Sequence, residues 1–82
     1  MQEIRVNLRK DINIGEAEKY AKAIASKHGD NIILLSMYDD ETKFKIPDVD
    51  CCGERSWEIY ALSRGGNLKV KVNQFEFIFR VE

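Results

Sequence analysis

The chain is poor in the residues that usually announce a chemistry. It has two cysteines, one histidine (His28) and one proline (Pro47) among 82 residues. The cysteines, Cys51 and Cys52, are neighbours. Adjacent thiols close only a strained ring, which excludes the disulfide framework of a small secreted domain. No Cys-x-x-Cys pair is present, so four zinc ligands cannot be assembled from thiols and His28 within one chain. No apolar run approaches the ~20 residues that span a bilayer, and the opening Met1-Gln2-Glu3-Ile4-Arg5 lacks a signal-peptide core. The formal net charge of −1 leaves no bulk attraction to nucleic acid or to an anionic membrane. Phosphate-binding glycine motifs are missing too. A cytoplasmic location is the expectation.

What is present is an ordered composition, 44% hydrophobic and 33% charged, in a length suited to one domain over residues 1–82. Residues 3–9 alternate, with Ile4, Val6 and Leu8 against Arg5, Asn7 and Arg9, the pattern of a half-buried strand. Ala17, Tyr20, Ala21, Ile24, Ala25 and His28 then recur with helical spacing and predict one amphipathic helix over 14–28. Asn13 with Glu16 forms a capping-box signature, and Ile12 with Ala17 is placed as a hydrophobic staple. Gly29 stands where a left-handed cap would fall. Glu18 and Lys22 are placed for an ion pair on the wet face.

Residues 32–38 form a continuous apolar run with no alternation through Leu35, the mark of a strand covered on both faces, and this strand over 31–38 follows the first through the helix as in a βαβ crossover. Residues 42–46 set Phe44 and Ile46 against Lys43 and Lys45 before Pro47. Reading Gly65-Gly66 and Asn73-Gln74 as tight turns makes strands of 56–63, 67–72 and 75–81. The second turn pairs Val72 with Phe75, Val70 with Phe77, Leu68 with Phe79 and Lys71 with Glu76, so that apolar meets apolar and opposite charges meet. The expected fold is α+β, a single helix packed on one mostly antiparallel sheet. Its order is β-α-β-β-β-β-β, with a C-terminal three-stranded meander.

Three functional readings follow. The first is a non-enzymatic protein-binding or self-associating module, a homo-oligomer or the companion of another protein. It would use the outer sheet face around Tyr60, Leu62, Lys69, Lys71 and Ile78, which is too apolar to be merely solvated. The second is binding of a divalent cation such as Ca²⁺ by Asp39, Asp40 and Glu41 with Asp48 and Asp50, since hard cations take six to eight oxygen ligands. The spacing does not match an EF-hand, and acidic residues are also ordinary turn formers. The third is thiol redox or metal chemistry at Cys51 and Cys52, against which stands the commoner role of cysteine as a small core residue. His28 is explained by the dipole at a helix C-terminus. Lysines beside Tyr60 suggest RNA binding only weakly, because Phe75, Phe77 and Phe79 are assigned to the core and Glu58 and Glu76 sit among the lysines. No acid/base pair or nucleophile constellation marks an enzyme.

Overall fold

The computed structural model describes residues 1–47 and 55–82. Five strands and two helices follow one another as β1 (Gln2–Val6), α1 (Ile14–Ala25), β2 (Ile32–Asp39), β3 (Lys45–Ile46), α2 (Ser56–Ser63), β4 (Leu68–Val72) and β5 (Phe75–Val81). They build an α+β fold around one five-stranded sheet in the order β1-β4-β5-β2-β3. The β1–β4 pair is parallel and the other three are antiparallel.

The α1 start is built as the residues predict. Asn13 Oδ1 accepts from the Glu16 amide at 2.8 Å, and the Glu16 carboxylate accepts from the Asn13 amide. Ala17, Ala21 and Ala25 are fully buried, so the helix backbone lies close to the sheet, and Glu18 pairs with Lys22 at 2.7 Å. The helix stops at Ala25, three residues before the predicted end, which leaves His28 exposed and off the buried stripe. Gly29 does not take the left-handed conformation. It is required by close approach, because a Cβ there would stand 2.5 Å from Val81 Cγ1 and 2.7 Å from the Glu82 carbonyl oxygen.

The β4–β5 register agrees residue for residue with the expected pairing through Asn73-Gln74. β5 lies at the centre of the sheet, with β4 on one side and β2 on the other. Its phenylalanines Phe75, Phe77 and Phe79 join Val70, Val72 and the α1 alanines in the first core. β1 and β2 run in the same direction but are not neighbours, since β4 and β5 lie between them. β3 is cut to two residues. Lys43 takes a positive φ of 64° in the preceding turn, so Phe44 leaves the alternation and is exposed.

The main correction concerns residues 56–63, which form helix α2 and no strand. Trp57, Tyr60 and Ala61 share helical spacing, and Arg55 and Glu58 form an i,i+3 ion pair at 3.0 Å. Gly65-Gly66 is the C-terminal cap of α2 and no hairpin turn. The Gly66 amide bonds to the Ala61 carbonyl and the Gly65 amide to that of Leu62, the paired bonds of a Schellman motif, with Gly65 at φ 86°. The first arm of the expected meander is therefore helical, and β2 supplies the third antiparallel strand, on the side of β5 away from β4. α2 packs on the sheet face opposite α1, and the described residues form two cores.

Candidate functional site

The second core decides which residues of the expected partner face reach solvent. Trp57 and Ala61 of α2 pack with Ile78 of β5, Tyr38 of β2 and the half-buried Leu35. Both Leu35 and Ser36 can contribute to this side because the β2–β5 register shifts between Leu34 and Ser36, the mark of a bulge. Ile78 is fully buried and Lys69 is 7% exposed, so neither belongs to an outer surface. The half-apolar face legible in the strands is the seat of the chain's own second helix.

Charge on this face is internally matched. Lys69 Nζ lies 2.8 Å from Glu58 Oε2 and 2.9 Å from Glu76 Oε1, which bridges α2, β4 and β5. It also stands 5.4 Å from the Trp57 ring centre. Burial alone would lower the Lys69 pKa, but the hydrogen bonds and charges of Glu58 and Glu76 outweigh it and hold the ammonium above its ordinary range. Burial likewise opposes the Glu58 carboxylate, and Lys69 with Arg55 overcomes this and keeps its pKa below the usual value. Perturbed groups of this kind can mark catalysis. Here each charge is consumed by a partner within the chain, and the cluster is read as a structural clamp.

On the outside of α2 the picture differs. Ile59 and Leu62 are 46% and 47% exposed. Tyr60 is half-buried, with the Arg64 guanidinium 3.7 Å over its ring. Lys71 is half-buried on the sheet beyond the helix.

The acidic turn closes β2. Asp39 is buried, and its Oδ1 accepts from the Glu41 amide at 2.9 Å, with the Thr42 amide at 3.4 Å. Its carbonyl accepts from the Lys43 amide at 2.8 Å. This Asx turn leaves Asp40 and Glu41 exposed, and Asp40 pairs with Lys43 Nζ at 3.3 Å. Beside it an open depression of about 630 Å³ is lined by Ile14, Phe44 and Phe75 together with Asn13, Asp39, Thr42 and Lys43. Among the described residues, no three carboxylates, thiols or imidazoles gather closely enough to hold a metal ion. Asp48, Asp50, Cys51 and Cys52 lie outside the described residues.

Fold and surface define a small α+β domain with a mixed sheet sandwiched between two helices. None of its described helices is long and apolar enough to cross a membrane. The chain belongs to the family described as Domain of unknown function (DUF5619), whose profile matches residues 1–81. It is 60% identical to an uncharacterized protein of Archaeoglobus fulgidus over 82 residues, covering all of this chain and 89% of that protein. It is also similar to the crystal structure of a novel protein from Archaeoglobus fulgidus, at 58% identity and a TM-score of 0.95. That match covers all of this chain and 95% of the other.

Helix α2 is what the strand reading missed. Its signals were the Trp57, Tyr60, Ala61 spacing and a double glycine placed where a helix cap would fall.

Proposed function

We propose that this domain is a non-enzymatic assembly module that associates with protein, a second copy of itself first of all. The observation that supports it is the pair Ile59 and Leu62, nearly half exposed on an eight-residue helix whose inner side already closes a core. An isoleucine and a leucine left on one short helix make a compact apolar surface of the kind that partners cover. Of the five residues expected on the partner face, Tyr60, Leu62 and Lys71 remain available to it. Sedimentation velocity at about 0.5 mM is the test. The expected mass lies above that of a monomer and falls in the double variant Ile59→Glu, Leu62→Glu. A monomer throughout, or an association indifferent to the double substitution, overturns the α2 surface.

A second reading is a hard divalent cation such as Ca²⁺ at the acidic turn. It is supported by the turn at Asp39, whose carboxylate is held by backbone amides and which leaves Asp40 and Glu41 exposed at consecutive positions. Asp48 and Asp50 follow soon in the chain and could add oxygen ligands.

A further inference from the structure

We infer that strand β1 pairs antiparallel with β1 of a second copy, its Glu3 and Arg5 facing the partner's Arg5 and Glu3 across a two-fold axis at Ile4. This rests on the assembly reading and adds to the α2 surface a second, separate contact between copies, with its register. β1 is an edge strand, hydrogen-bonded to β4 alone among the described residues. The Gln2 amide bonds to the Asn67 carbonyl, and the Val6 carbonyl accepts from the Asn73 amide, so the backbone groups of these residues point inward to β4. Alternation along the strand then turns the amides and carbonyls of Glu3 and Arg5 outward, to the free edge.

That parity restricts the pairing. In an antiparallel pair the outward residues must face outward residues, since they exchange the ladder hydrogen bonds. Three two-fold registers near the strand centre satisfy this. Centring on Glu3 or on Arg5 sets like charges directly opposite each other at the axis, which is destabilising. Centring on Ile4 sets Glu3 opposite Arg5 twice, and each pair exchanges both of its backbone hydrogen bonds. The Glu3 and Arg5 side chains are 38% and 68% exposed and already lie 3.4 Å apart within one strand, so both can turn to a neighbour without being unburied. On the other face Ile4 meets Ile4 of the partner, and Val6 meets the partner's Gln2. The Gln2-Glu3-Ile4-Arg5-Val6 segment is thus complementary to its own reverse. Edge strands usually carry charges to discourage such pairing. Here the two charges are of opposite sign and spaced so that reversal matches them.

A five-residue edge buries less than the 1,200–2,000 Å² or so of a stable interface, which predicts a weak dimer, with Kd on the order of 0.1 mM. The axis runs through the sheet, so both α2 helices emerge on the same side of the pair and the Ile59–Leu62 surface is presented twice.

Charge reversal tests the register. E3R and R5E are each expected to weaken association tenfold or more, and the double variant E3R/R5E to return it to within about threefold of the native chain. A second measurement avoids reliance on those variants. With Cys51 and Cys52 replaced by Ser, I4C should form an interchain disulfide under mild oxidation, because residues facing at a non-hydrogen-bonded site stand about 4.5 Å apart. V6C, which faces Gln2 of the partner, should not. Association that is unchanged by both single reversals, or that is not restored by the double, overturns the β1 pairing and leaves the assembly reading standing on α2. A monomer throughout overturns both.

Discussion

The Trp57 indole lies flat on the Tyr38 phenol ring, with 4.8 Å between ring centres and 4° between planes. This stack joins α2 to β2 and is the centre of the second core. Trp57 is fully buried, and its replacement by Ala leaves a large void between helix and sheet. The expected loss is about 3–5 kcal/mol, a large part of the stability of so small a domain. Urea unfolding of Trp57→Ala should show a lower midpoint, and α2 amides should exchange faster than those of α1. Equal exchange in the two helices would count against α2 resting on this one contact.

Lys69 clamps two carboxylates, and its removal strands them. Lys69→Met is expected to cost about 2–4 kcal/mol near neutral pH. The pH dependence follows from the directions of the two shifts. Glu58 has a lowered pKa in the folded chain, so its contribution is present above its unfolded value of 4.5 and is lost as pH falls through the folded one. Lys69 has a raised pKa, so its contribution is complete below the unfolded value of 10.5 and is lost as pH rises through the folded one. The native chain should lose stability below pH 4.5 and above pH 10.5, and the deficit of Lys69→Met should shrink at both ends. Urea midpoints across the pH range measure this, and a deficit constant with pH would refute the clamp.

Asn73 performs two tasks in the β4–β5 turn. It holds φ at 54°, and its carboxamide accepts from the Leu8 amide at 2.7 Å while donating to the Lys10 carbonyl at 3.1 Å. Asn73→Gly keeps the conformation but loses the bonds, and should cost about 1–2 kcal/mol. Asn73→Ala loses both and should cost about 1 kcal/mol more. Comparing the two by thermal unfolding separates backbone from side chain. Equal losses would remove the conformational part.

The cation reading makes a prediction at Lys43, whose ammonium pairs with Asp40. Adding millimolar Ca²⁺ should shift the amide resonances of residues 39–43, and Lys43→Met should tighten binding several-fold by removing a competing charge. No shift in either protein would end this reading.

Much of the fold is legible in the chain because local chemistry and burial agree there. The α1 capping box, its alanine stripe and the β4–β5 register each rest on spacings that only one element satisfies. Residues 56–63 were ambiguous. An apolar segment of eight residues fits a period of two nearly as well as 3.6, and a double glycine suits a hairpin as well as a helix cap. The same error exposed Ile78 and Lys69 on paper, although they lie beneath α2.

The sequence by itself determined the class of fold, the first helix, the central hairpin and the short list of reactive residues. Each depends on neighbours a few positions apart, whose geometry the backbone sets. Tertiary structure alone decided that β4 and β5 separate β1 from β2, that a second helix covers the far face, and that β1 is left at an edge. Those outcomes depend on which apolar surfaces meet across long stretches of chain. Burial is non-directional and rewards any good cover, so no local spacing records which one is chosen.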